Sequence, residues 1–168
     1  MNSPYMGDFK VSQRFQRYIH DGLDLVGISS KGIHSTVNGT VAYAGWENND
    51  DKLQGFGLYV CIRFTHQNED CYAYFGHLSE LKVKTGDKVK ITNCIGIEGS
   101  TGNSTGSHCH YEIRKDFYKG ADVIDVSEFS GIENVIGTTQ NDGYSGTNKT
   151  DNYKITKTPG KNELIITW

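Results

Sequence analysis

No stretch of this 168-residue chain approaches the roughly eighteen consecutive apolar residues that a membrane-spanning helix needs. Nor does any segment carry a long apolar stripe at the 3.6-residue period, so helices are expected to be few and short. The opening MNSPYMGDFKVSQRF has no basic start followed by an apolar run, and it does not read as a secretory leader. The four cysteines, Cys61, Cys71, Cys94 and Cys109, show no C-x-x-C spacing. Cys61, Cys94 and Cys109 lie in apolar or strand-like contexts, where a free thiol acts as a small hydrophobe. Cys71 opens a strand and is expected to be more exposed. A disulfide scaffold is not expected in a chain of this size. The net charge is −3 with lysines and arginines scattered, so there is no basic stripe of the kind that tracks nucleic acid.

What the chain has instead is turns and strands. Twenty glycines against two prolines, with ten tyrosines and many short β-branched runs, predict an all-β or β-rich fold. The length suits one domain with a real core. FKVSQRF reads as a strand, and GIHSTVNGTVAYAGW reads as a hairpin about Asn38-Gly39. GLYVCIRF and CYAYFGHL read as two strands joined by the polar THQNED. KVKTGDKVK holds a turn at Gly86-Asp87, and residues 122–132 suit a short helix or turn. We expect a catalytic domain over residues 1–132 and, over 133–168, a polar linker with a short β-prone tail. In that tail residues 137–151 have linker composition, and the runs around Pro159-Gly160 suggest a hairpin.

The segment TGSHCHYEI concentrates the chemistry. In a strand, His108 and His110 share one face, whereas on a helix they would splay about 200° apart. Tyr111 and Ile113 favour the strand. Two imidazoles on one face suit a shared metal, or one metal ligand beside an acid–base group. They also suit two partly exposed strand histidines with no function. His20 and Asp24, in HDGLD, offer N and O ligands of the type that with a third residue bind Zn²⁺ and leave a position for water. His34 and His66 fall in a turn and a loop tip, where a solvated ring is expected. His77 ends the aromatic run YAYFGHL, a poor place for a polar ring unless it opens on a cleft.

The blocks HDGLDL, VNGTVAYAG, GFGLYVCIRF, YFGHLS, VKTGDKV and IGIEGSTGNSTGSHCHYEI, in that order between about Val11 and Ile113, resemble the lysostaphin or LytM-type zinc endopeptidases. Those enzymes cut peptide bonds in bacterial cell-wall peptidoglycan. The resemblance implies a small antiparallel sheet with long loops walling a zinc groove. It implies one Zn²⁺ held by His20, Asp24 and His110, with His77 and His108 as the catalytic histidines beside the water. One of these two takes the water proton and the other stabilises the oxyanion, in an order left open. The second ring nitrogen of His110 is expected to meet a carbonyl or carboxylate.

Three departures stand out. Cys109 replaces the usual Leu and is expected to point into the core. Phe15-Gln16-Arg17 lacks the usual glycine before the first ligand. Phe75 stands where tyrosine is frequent, removing a hydroxyl that could have met substrate.

The intact set of five residues favours an enzyme over a binding or activator module on the same fold. A metallopeptidase acting on free peptides is a third reading. The substrate is expected to be a peptidoglycan peptide, and the place of action the bacterial cell wall. Without a leader in this chain, delivery is expected by lysis, a phage tail or conjugation apparatus, or as part of a longer precursor. The tail would then tether the domain to a module or assembly.

Overall fold

The computed structural model describes residues 1–118 and 122–142, together with the backbone of 154–157 and 164–167. It confirms the all-β expectation. Strands β1 (Asp8–Gln13), β2 (Leu23–Gly27), β4 (Gly39–Trp46), β5 (Leu58–His66), β6 (Glu69–Gly76), β8 (Lys88–Val89), β10 (Cys109–Arg114), β11 (Val123–Ile124) and β12 (Thr139–Asn141) form one sheet. Its order is β12-β1-β2-β10-β6-β5-β4-β8, with β11 also paired to β10. A second sheet orders β3 (Gly32–His34), β9 (Cys94–Glu98) and β7 (Leu78–Leu81) as β3-β9-β7. Every named pairing is antiparallel. Among the described residues no helix is long and apolar enough to cross a membrane.

The two-residue period of each strand sorts side chains between faces. On β10, Cys109, Tyr111 and Ile113 enter the main core, alongside Leu23 and Leu25 of β2, Val60 and Ile62 of β5, and Ala73 and Phe75 of β6. Ile33, Leu78 and Ile95 reach the same core from the second sheet. Each large apolar side chain buried this way contributes about 1.5–3 kcal/mol. Phe75 stacks on Tyr111 at 5.2 Å in this core, fully buried. A hydroxyl on residue 75 would therefore point away from the groove, so its absence removes no substrate contact. Cys109 is fully buried in the core, as expected.

Several sequence-based expectations hold locally. The β5–β6 hairpin closes through Gln67 and Asn68, both with positive φ (51° and 65°), the geometry that matches strand twist in a two-residue turn. Gly86 turns at φ 94°, with Asp87 N–H donating to the Lys84 carbonyl. Helix α1 (Val126–Ser130) is capped by the Asp125 carboxylate, which accepts from the N–H of Ser127 and Glu128.

The hairpin expected about Asn38-Gly39 does not form. β3 pairs with β9, and β4 with β5 and β8. Gly39 opens β4 instead, packed so closely that a Cβ on it would lie 2.3 Å from the Arg63 carbonyl oxygen. The Asn38 side chain instead accepts from Ile91 N–H. The cysteines are free, but Cys71 is buried and Cys94 exposed, the reverse of expectation. Cys71 lies on the inward face of β6, whereas Cys94 opens β9 at its solvent end.

The chain remains on the sheet beyond residue 132. Asn134 exchanges two hydrogen bonds with the backbone of Phe15, each 2.9 Å, and β12 pairs with β1 from Asp8↔Asn141 to Lys10↔Thr139. The linker expectation therefore meets ordered strand over 139–141, while residues 143–153 lie outside the described residues. The expected tail hairpin is seen as backbone: β13 (Lys154–Lys157) pairs antiparallel with β14 (Leu164–Thr167).

Candidate metal centre

Three neighbouring strands, β2, β10 and β6, and the segments flanking them bring the five histidine and aspartate candidates together. Asp24 on β2 lies directly opposite His110 on β10. His20 sits in the turn leading into β2, where Gln16 and His20 exchange backbone hydrogen bonds of 2.8 Å. Tyr18 takes the left-handed conformation at φ 69°, so the turn closes without the glycine absent from this stretch. Gly22 lets that turn lie against β10, since a Cβ there would be 2.7 Å from both the His110 ring and the Tyr111 carbonyl. His20, Asp24 and His110 each offer a ligand atom, all within 4.8 Å of one another.

The hydrogen bonds settle which atoms face inward. His20 Nδ1 donates to the Arg14 carbonyl at 3.0 Å, leaving Nε2 towards Asp24 Oδ1 at 3.2 Å. His110 Nε2 donates to Glu112 Oε2 at 3.0 Å, leaving Nδ1 against the same Oδ1 at 2.9 Å. Two nitrogen lone pairs thus converge on a carboxylate oxygen, acceptor against acceptor. Only a cation between them, a proton or a metal, makes that arrangement favourable. The N, N, O donor set with both imidazoles oriented from behind fits Zn²⁺.

In the metal-free protein protons fill this role. Burial disfavours a charged His110, but Asp24 and Glu112 outweigh it and raise its pKa to about 9. Burial likewise opposes ionisation of Asp24, yet hydrogen bonds from His110 and His20 hold its carboxyl far below the usual range.

His77 and His108 stand across from these three residues, their ring centroids 4.6 Å apart. His77 follows β6 in the left-handed region (φ 61°), held by its N–H to the Phe56 carbonyl at 2.8 Å. Its Nδ1 donates to the Thr101 carbonyl at 2.7 Å. Burial, aided by the neighbouring His108 and His110, lowers the His77 pKa to about 4, with the Thr101 carbonyl partly opposing, so the ring is neutral at pH 7. His108 Nδ1 donates to the Gly106 carbonyl at 2.8 Å, and its Nε2 lies 3.6 Å from Asp24 Oδ2. Both rings therefore turn Nε2 towards the site. They line one groove of about 480 Å³ together with His20, Asp24 and His110. His34 and His66 lie on β3 and at the end of β5 and do not line it.

Sequence reasoning missed two residues. Glu112 is 2% exposed, and besides His110 it binds Arg114, whose Nε donates to Oε1 and Nη2 to Oε2 at 3.3 Å. Burial raises the Glu112 pKa, but the His110 and Arg114 hydrogen bonds win and leave it lowered. The Arg114 guanidinium stacks 4.6 Å over Tyr74 and 5.3 Å over Phe56, on the groove side of the sheet. The signal was present: the period of two that aligns His108 with His110 places Glu112 and Arg114 on the same face.

A profile of "Peptidase family M23" matches residues 18–125, more than half of the chain. The murein hydrolase activator NlpD of Escherichia coli is 33% identical over 102 residues, 61% of this chain and 24% of that protein. The DD-carboxypeptidase/endopeptidase Mpg of Neisseria meningitidis is 33% identical over 96 residues, 57% of this chain and 20% of its own length. The chain thus spans a quarter or less of these two relatives. The catalytic domain of the antimicrobial peptidase lysostaphin from Staphylococcus simulans superimposes with a TM-score of 0.57 at 25% identity, over 73% of this chain and 89% of that domain. With the antiparallel sheet, the converging ligand atoms and the paired histidines already in place, this chain belongs to peptidase family M23.

Proposed function

We propose that the protein is a zinc-dependent endopeptidase that hydrolyses peptide bonds of bacterial cell-wall peptidoglycan. The observation that carries the proposal is the convergence of His20 Nε2, Asp24 Oδ1 and His110 Nδ1 in a groove faced by two further imidazoles. His20, Asp24 and His110 would hold one Zn²⁺, which in a three-ligand site lowers the pKa of water towards about 7 and acts as a Lewis acid. Asp24 offsets part of the charge, and Glu112 keeps His110 in the tautomer with Nδ1 free.

The remaining chemistry belongs to His77 and His108. Each has Nδ1–H committed to a carbonyl, so each can accept a proton at Nε2 from the attacking water. The protonated ring can then pass that proton to the leaving amine. While it holds that proton, the ring can also donate its Nε2–H to the developing oxyanion. Phe56 and the loop residues Asn103 to Thr105 wall the groove and restrict how a peptide enters.

The names of Mpg and lysostaphin support a peptidase, and that of NlpD, a murein hydrolase activator, supports a second reading, an activator without hydrolysis of its own. The full set of five groups in productive orientation favours the enzyme. The site of action is the bacterial cell wall, and residues 143–168 would tether the domain to a neighbouring module or a phage-type or conjugation assembly. The test is digestion of purified walls of several peptidoglycan types, beside casein, with fragments read by mass spectrometry and zinc measured in the same preparation. Peptide-bond cleavage in walls, abolished by chelator and restored by zinc, is the expected result. Intact walls with zinc bound would favour the activator, and casein cleavage alone would favour a general peptidase.

A further inference from the structure

Glu98 is a buried carboxylate that the proposed reaction does not use. It ends β9 in the second sheet, is 5% exposed, and collects four donors. Oε2 accepts from Tyr5 OH at 2.5 Å and from Gly27 N–H at 2.8 Å. Oε1 accepts from Lys31 Nζ at 2.7 Å and from Ser107 Oγ at 2.5 Å. Taking a carboxylate out of water costs several kcal/mol before its partners offset it. An apolar side chain would fill the same space without that cost, so the placement of the partners is informative.

The partners lie on segments that carry the metal centre. Backbone pairing of β2 with β10 runs from Leu23↔Tyr111 to Leu25↔Cys109. Continued by one more step of two residues, it would bring Gly27 opposite Ser107, outside the paired strands. The Glu98 carboxylate joins these two residues instead, with Gly27 N–H on one oxygen and Ser107 Oγ on the other. The next residue on each side completes the clamp, since His108 N–H donates to the Gly99 carbonyl at 3.0 Å. Ser107 is otherwise exposed, at the end of a Gly- and Ser-rich loop whose Ser104 hydroxyl donates to the Gly106 carbonyl at 2.8 Å.

We infer that Glu98 is a positioning residue for His108, acting through Ser107 to fix the loop from which the ring reaches the site. The inference rests on the proposed catalytic role of His108. Held at Ser107 and at its own N–H, His108 keeps Nδ1–H on the Gly106 carbonyl and Nε2 towards Asp24. Released at Ser107, the loop lets the ring leave that orientation. Misplacement of a reacting group by about 1 Å can cost as much as 10²-fold in rate.

The test uses Ser107, whose hydroxyl can be removed at an exposed residue. In Ser107→Ala we expect kcat on cell walls to fall about tenfold, with KM, zinc content and melting temperature near wild type. Ser107→Thr, which keeps the hydroxyl, should recover most of the loss. In a Glu98→Met background Ser107→Ala should cost nothing further, because coupled residues are not additive. Independently of activity, ¹⁵N shifts of the His108 ring should report a single Nδ1–H tautomer in wild type and a mixture in Ser107→Ala. A Ser107→Ala protein with wild-type kcat and a wild-type ring signature would overturn the inference. So would a loss of kcat that Ser107→Thr fails to recover. Wild-type protein that cleaves no wall material would instead refute the proposed function, and the ring signature would still decide whether Ser107 positions His108.

Discussion

Glu112→Gln changes one oxygen into an amide nitrogen and leaves shape almost untouched, which makes it a sharp probe of the metal centre. In the wild type, the two carboxylate oxygens accept from two donors, His110 Nε2–H and the Arg114 guanidinium. A glutamine cannot accept on both sides. If its oxygen faces His110, its NH₂ abuts the Arg114 donors, in a pocket where Glu112 and Arg114 are both less than a tenth exposed. If it turns over, its NH₂ donates to His110 Nε2, which forces the ring proton onto Nδ1, the atom that would bind the metal. One arrangement strands a buried guanidinium, a fault of about 3–5 kcal/mol when a buried pair is broken. The other blocks a ligand.

Loss of an orienting carboxylate behind a histidine ligand typically lowers metal affinity by 10–100-fold, about 1.4–2.7 kcal/mol. We therefore expect Glu112→Gln to bind zinc 10–100-fold more weakly in a chelator competition assay. Adding Arg114→Met should restore part of the thermal stability, because it removes the stranded charge, but not the affinity. Wild-type zinc affinity in Glu112→Gln would refute the reasoning outright.

Four further outcomes are expected. His20→Ala and His110→Ala should lose zinc, whereas His77→Ala and His108→Ala should keep it and lose about 10²-fold or more in turnover, as metal analysis beside wall digestion would show; zinc loss in His77→Ala or His108→Ala equal to that in His20→Ala would reverse the assignment. With a pKa of about 9 in the metal-free protein, His110 is almost fully protonated at pH 7, so zinc uptake should release about one proton from it, measurable by calorimetry in buffers of different ionisation heat. The sign for folding follows. A raised pKa gives stability that is full below the ordinary value of 6.5 and is lost as pH climbs through 9, so the melting temperature of metal-free protein should fall across that window. Finally, a chain ending after Asp142 should melt and cleave like the whole, whereas one ending after Ile132 exposes the edge of β1 and loses the two Asn134–Phe15 bonds, so it should melt at least about 5 °C lower; equal melting would show that residues 133–142 contribute nothing.

The sequence by itself determined what depends on near neighbours. Period-two alternation placed Cys109 in the core and His108 and His110 on the other face, because successive side chains in a strand must diverge. Gln67-Asn68 and Gly86 turned where polar, glycine-rich segments were read as turns, and residues 122–132 held a single short helix. HDGLD and H-x-H were legible as candidate site residues through their likeness to a family, and the structure brings ligand atoms of His20, Asp24 and His110 within 4.8 Å of one another.

What only the tertiary structure decided were the pairings between distant segments. Asn38-Gly39 carries a strong local hairpin signal, yet β3 joins β9 while β4 pairs with β5 and β8 in the main sheet. Glu112 and Glu98 are singled out by no motif read in the sequence. Their roles come from donors that the chain supplies from elsewhere: Ser107 and Tyr5 lie nine and 93 residues from Glu98. A charge is tolerated inside a protein only where folding assembles its partners around it, and that assembly is not written in any one segment.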